Sequence, residues 1–305
     1  SNVALGAQAS AGNTCGGCNI AIGEYSLYSN TIGNNNISIG ERALFHQTGT
    51  TAHNNIALGK YVMYNNLTGD NNIGIGTQVL YSNTCGQGNI AIGYQALCYN
   101  ISGSTNVGIG CKALYCNTIG CDNIASGTQA LYYNTAGSYN IAQGYNTLFK
   151  NICGCHNVAL GSIALCNNIC GCNNVAQGNS TLRFNISGCN NVALGLGALN
   201  QNVDGNSNVA IGSYAGYASS GSCNVYIGSY AGCVETGSSK LYVANYGSCT
   251  LIYGEFDNKI VKVDNTLQVC NDLQSLTNGG GIILCSPDGT EYCLTVANGG
   301  TLSIV

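Results

Sequence analysis

Cysteine is the first residue to examine for chemistry, because there are nineteen in 305 residues. They keep a fixed spacing. Cys153-Gly154-Cys155 is followed seventeen residues later by Cys170-Gly171-Cys172, and Cys189 lies seventeen beyond Cys172. Thiols in such a pattern can be oxidised to disulfides, stay as buried thiols or ligate a metal. Zinc takes four ligands in a tetrahedron, usually from cysteines spaced more widely than one intervening residue. Disulfides are therefore the leading reading, with Cys153, Cys155, Cys170, Cys172, Cys189, Cys121 and Cys223 as candidates. They imply an oxidising setting, extracellular or virion. No cofactor is expected.

Other reactive groups are sparse. Glu24 and Glu41 repeat at one phase, about 5 Å apart if the chain stacks, which is near a retaining glycosidase separation. Lys60 takes the same phase next and Arg42 is adjacent, so an exposed charged strip is the better reading. His46, His53 and His156 share no phase. Five Asn-X-Ser/Thr sequons (Asn36, Asn66, Asn100, Asn179, Asn185) are what an Asn-rich chain produces by chance. No phosphate loop or nucleotide fingerprint is present. The chain is expected not to be an enzyme.

What positions these residues is a repeat. A glycine recurs at Gly6, Gly23, Gly40, Gly59, Gly76, Gly93, Gly110, Gly127, Gly144, Gly161, Gly178, Gly195, Gly212 and Gly228. The step is seventeen, except nineteen after Gly40 and sixteen at the end. A period of this kind marks a solenoid, in which each coil needs its neighbours to bury a core. Four residues before each glycine stands Asn: Asn19, Asn36, Asn55, Asn72, Asn89, Asn106, Asn123, Asn140, Asn157, Asn174, Asn191 and Asn208 in the inner coils. Val or Ile stands at minus three, mostly Ala at minus two, and usually Ile or Leu at minus one. This alternation predicts a strand with the minus-three column buried. Leu or Met recurs at plus four, Asn at plus seven and a second Gly at plus ten. One coil thus reads as two short strands and two turns.

Stacked coils set equivalent residues about 4.8 Å apart, so fourteen rungs span roughly 65 Å. Stacked Asn columns can hydrogen-bond amide to amide along the axis. The predicted fold is all-β: a parallel β-solenoid of 17-residue coils. In the minus-one column, Ser126, Gln143 and Gln177 replace aliphatic residues. They read either as a local exposed patch or, if that column faces a threefold axis, as amides that satisfy one another or hold water or an ion.

Composition supports this. Charged residues are 7%, and there is one Pro, no Trp and 44 Gly. The net charge of −4 includes no basic stripe for nucleic acid and no basic amphipathic helix for membrane. No apolar run is long enough to span a bilayer. The chain opens in mid-repeat without Met, as a fragment or processed product would.

The run Asn89-Ile-Ala-Ile-Gly-Tyr-Gln-Ala-Leu97 resembles the head repeat of trimeric autotransporter adhesins, a left-handed parallel β-roll. It is closer still to the Asn-rich repeats of phage tail fibres. The resemblance covers residues 1 to about 237 and implies a homotrimer. The cysteines depart from it. After Gly237 the period stops. Residues 238–272, with Lys240–Asn245 and Leu251–Asn258, resemble the connector that follows such repeats. Residues 273–305 read as a C-terminal hairpin module, with Pro287-Asp288-Gly289 as its turn. The functional expectation is a structural fibre or adhesin shaft, viral or cell-surface, that presents an attachment tip. Its partners would be itself, other virion or surface-assembly proteins and a host glycan or receptor, with Tyr rings at plus five available to sugars. The alternatives are a disulfide-crosslinked extracellular filament and, third, a glycan depolymerase.

Overall fold

The computed structural model describes residues 1–48, 52–246 and 250–264, and the backbone of strands 282–285, 291–296 and 302–304. The chain divides into two compact units, Ser1–Asp264 and Asn265–Val305. In the first, each coil contributes one three-residue strand, from β1 (Val3–Leu5) to β14 (Val225–Ile227). Each strand pairs in parallel with the next in unshifted register, as in Ile90↔Val107 and Ala91↔Gly108. The result is a parallel β-solenoid. The ladder runs on through β15 (Lys240–Ala244), parallel to β14. It then reverses into antiparallel β16 (Thr250–Glu255) and β17 (Ile260–Val263). In the second unit, β18 (Ile282–Cys285), β19 (Glu291–Val296) and β20 (Leu302–Ile304) form an antiparallel sheet. Pro287-Asp288-Gly289 lies outside the described residues.

Two expectations are corrected. The coil has one strand rather than two. After the repeat glycine, positions plus two and plus four take left-handed backbone angles, as in Tyr25 (φ 55°) and Leu27 (φ 51°). Such residues curl the chain out of strand geometry. They still bond to neighbouring rungs: Tyr25 N–H donates to Ala7 O and Leu27 N–H to Ala43 O, both at 2.9 Å.

The second correction concerns the buried face. Both the minus-three and the minus-one columns are half-exposed or exposed, with Ile124 and Ile141 among the exposed residues at minus three. The residue facing inward is the small one between them, such as Ala91, Ala125 and Ala159, each fully buried. The reason is space. Leu at plus four (Leu97, Leu114, Leu131) and Ala at plus three (Ala96, Ala113, Ala130) already fill the thin coil. Only a small side chain fits opposite them, the methyl of Ala in most coils and the hydroxymethyl of Ser38 in one.

The repeat glycine is required by both conformation and room. Gly23 has φ 125°, and a Cβ on it would lie 2.7 Å from Gly40 O. A side chain there would clash with the next rung's backbone.

Candidate functional site

Two asparagine ladders close the ends of the coil core. In the minus-four column, Asn106 Nδ2 donates to Asn89 Oδ1 at 3.1 Å and to Gly120 O at 2.8 Å, and Asn106 N–H donates to Asn89 Oδ1 at 3.0 Å. In the plus-seven column, Asn117 Nδ2 donates to Asn100 Oδ1 at 2.8 Å and to Gly120 O at 2.9 Å. Both columns are buried beyond their first members, Asn2 and Asn13. A buried amide is costly unless paired, and stacking supplies the pair at most rungs; the plus-seven ladder is interrupted above Gln47, whose Oε1 has no partner among the described residues. The longer coil after Gly40 puts Gln47 in the plus-seven column, where its longer arm reaches Asn30 Oδ1 at 3.0 Å. Four sequon asparagines, Asn36, Asn66, Asn100 and Asn185, are buried in these ladders, whereas Asn179 is exposed.

The cysteine columns separate by role. At plus nine, Cys153 and Cys170 form a disulfide between adjacent rungs, with Cα atoms 4.9 Å apart. At plus eleven, Cys121, Cys155, Cys172 and Cys189 are thiols. Their sulfurs accept backbone N–H groups from the preceding rung: Ser138 to Cys155 at 3.4 Å, Cys155 to Cys172 at 3.2 Å and Cys172 to Cys189 at 3.1 Å. Elsewhere in this column the acceptor is Ser104 Oγ, Ser138 Oγ or Asn206 Oδ1. The column therefore needs a short acceptor, and sulfur is one of several that serve. Cys223 belongs to a different column. The sixteen-residue coil shifts the phase, so Ser222 Oγ takes the acceptor position at 3.0 Å from Asn206 N, and Cys223 adopts φ 60° beside it. Among the described residues, no group of three or more His, Cys, Asp or Glu side chains converges on a metal position.

Glu41 Oε2 pairs with Lys60 Nζ at 2.8 Å, and its Oε1 accepts from the Tyr61 hydroxyl at 3.2 Å. The hydrogen bond from Lys60 holds the Glu41 carboxyl below its ordinary range. Glu24 is exposed and forms no ion pair among the described residues. The histidines are dispersed. His46 packs edge-on against Phe45 and Tyr64, His53 Nδ1 accepts Asn34 N–H at 2.9 Å, and His156 stacks on Tyr139.

Plus-five rings form ladders of their own. Tyr28, Phe45, Tyr64 and Tyr81 stack at successive centroid distances of 5.1 Å. Tyr115, Tyr132 and Phe149 form a second stack. Within a stack the inner rings are covered on both faces by their neighbours, so they meet solvent through their edges. The plus-two column runs beside the first stack with Tyr25, Arg42, Tyr61 and Gln78. Sequence reading passed over this grouping, although the shared phase of the four residues was visible. Ser126, Gln143 and Gln177 lie on the outward strand face, at the ends of strands Ile124–Ser126, Ile141–Gln143 and Val175–Gln177. They are not inward substitutions.

The chain matches no known protein family, no curated protein and no solved structure. Among the described residues, no helix is long and apolar enough to cross a membrane.

Proposed function

We propose that this chain is a structural shaft, a fibre or adhesin of a virion or cell surface, that assembles as a parallel homotrimer and carries an attachment function without catalysis. One observation carries the reading. The outward strand face holds two mainly aliphatic columns that a single chain leaves open, interrupted at Ser126, Gln143 and Gln177 and including Ile92 at 36%, Ile109 at 41% and Ile211 at 42% exposure. Large exposed apolar patches mark interaction surfaces. An identical neighbour in the same register offers a face of matching length and period, and closed symmetry leaves no open side. In such a trimer Ser126, Gln143 and Gln177 would meet their counterparts at the axis. A surface with few charges and dense rung-to-rung hydrogen bonding provides reach and protease resistance. The unit beyond Asp264 would present the tip.

Light scattering of the purified chain tests assembly. Three chains per particle are expected, and Ile92→Lys with Ile109→Lys should yield single chains. A wild-type monomer would overturn the trimer. Binding to host cells or envelope glycans, compared with a chain ending at Gly237, tests the tip. Glycan cleavage abolished by Glu24→Gln would overturn the non-catalytic reading.

A second reading rests on the thiols of Cys15, Cys18, Cys85, Cys111 and Cys223, all exposed. They suit crosslinks between shafts in an extracellular filament. Non-reducing electrophoresis of material from its source separates the two, since a discrete fibre gives no ladder of covalent multimers.

A further inference from the structure

Arg42 sits between two tyrosines of its own column. Its guanidinium carbon lies 5.6 Å from the Tyr25 ring centroid, 5.9 Å from Tyr61 and 6.0 Å from Phe45. Tyr25 and Tyr61 belong to the coils on either side. A guanidinium flanked by rings is held in place by cation–π attraction while its donors stay available. Among the described residues, no carboxylate pairs with Arg42. Glu41 is its chain neighbour, but Lys60 and the Tyr61 hydroxyl occupy that carboxylate. Glu24, one rung away, is the other acidic side chain on this strip.

Arg42 also lines an open surface pocket of about 340 Å³ with Tyr61, Tyr64, Gln78 and Tyr81. That volume lies at the small end of the ~300–1,000 Å³ range of small-molecule sites. Its groups differ in what they recognise. The guanidinium presents a planar fork that matches a carboxylate with two parallel hydrogen bonds. Gln78 Oε1 already accepts from Gln95 Nε2 at 2.8 Å, which leaves its amide N–H groups to donate, and the Tyr61 hydroxyl, which donates to Glu41, keeps its oxygen as an acceptor. A ligand satisfying all of them carries one carboxylate and several hydroxyls on a compact ring.

We propose that Arg42, Tyr61 and Gln78 form a shaft-side binding site for an acidic saccharide, a pyranose bearing a carboxylate. The proposal rests on the attachment reading above. It adds a contact on the shaft and names its chemistry. Uronic and sialic acids share that chemistry.

The test uses the intact chain and calorimetric titration with three probes: a glucuronate oligosaccharide, a sialyl oligosaccharide and a neutral glucose oligosaccharide. At least one acidic probe should bind, identifying the source, and the neutral one should not. Arg42→Gln should weaken binding at least roughly tenfold, the scale of one lost charge-assisted pair. Arg42→Lys should fall between, because an ammonium lacks the fork. The Gln variant should keep its fold, since Gln8, Gln78 and Gln95 occupy the same column with φ of 59°, 54° and 55°. Undiminished binding by Arg42→Gln would overturn the site while leaving attachment intact. Failure of both acidic probes with the wild-type chain would also overturn the site, and cell binding by the same preparation would judge attachment separately. Acetate or phosphate binding as tightly as the saccharide would overturn the saccharide assignment.

Discussion

A Cβ placed on Gly216 would lie 2.6 Å from Cδ2 of the Tyr226 ring. Gly216 occupies the plus-four column, which holds Leu in most coils, and Tyr226 occupies the minus-two column, which mostly holds Ala. The large residue has moved from one wall of the core to the other. Conformation does not demand this glycine, because Leu199 adopts φ 48° one rung earlier in the same column and Gly216 has φ 57°. Size does. The fully buried Tyr226 places its hydroxyl 2.7 Å from Ser219 Oγ, so its polar end is satisfied.

Tyr226→Ala should therefore destabilise the terminal coils by about 3–5 kcal/mol, the range for emptying a large aromatic site. Gly216→Leu alone should be destabilising through overpacking. The two together should recover much of the loss, because they restore the pattern of the inner coils. Urea denaturation of the three variants measures this coupling, and additive losses would refute it.

Asn100→Ala removes the donor to Asn83 Oδ1 at 2.7 Å and to Gly103 O at 2.8 Å, and the acceptor for Asn117. The partners stay buried with fewer bonds. A loss of about 2–4 kcal/mol is expected, well above that of an exposed hydrogen bond. Hydrogen exchange should rise in the flanking rungs first, since a solenoid frays locally.

The inverted strand face can be tested at adjacent positions. Ala91→Val pushes extra methyl groups into a filled core and should cost about 1–3 kcal/mol. Ile92→Thr, one residue on, should cost less than about 1 kcal/mol in a separated chain. Its main effect should be on assembly, read as a lower mass by light scattering.

Ile163 has φ 52°, an unfavourable angle for a β-branched side chain. Asn146 occupies the same column one rung earlier with φ 51°. Ile163→Asn should raise stability by about 0.5–1 kcal/mol, because Asn tolerates this region. A lowered denaturation midpoint would show that Ile163 contributes packing that outweighs its strain.

Burial pushes the Cys98 thiol from an ordinary 9.0 up to about 11. Its reaction with iodoacetamide should be slow at pH 8 and keep rising towards pH 11. The folded state holds this proton more tightly than the unfolded chain. Its contribution to stability is complete below about pH 9 and is lost as pH rises through 11. Cys98→Ala should flatten that part of the alkaline stability curve.

From the sequence alone, the coil stack was determined. Equivalent residues every seventeen positions leave few arrangements other than one in which each residue sits on its counterpart, and buried Asn then has an amide partner at most rungs. Alternation alone left open which side of the three-residue strand faces in, since Ile-Ala-Ile offers aliphatic atoms to both sides. That choice depends on the volume across the core, where Leu and Ala arriving through left-handed turns leave room only for a side chain as small as Ala or Ser. The same holds for the cysteines. Their columns were legible, but only the folded coil separates a column whose sulfurs bond to each other from one whose sulfurs accept backbone N–H groups, because side-chain direction depends on the turn that carries it. The Arg42 surface depended most on tertiary structure. Tyr25, Arg42 and Tyr61 are far apart along the chain, and only stacking sets their rings and guanidinium within contact.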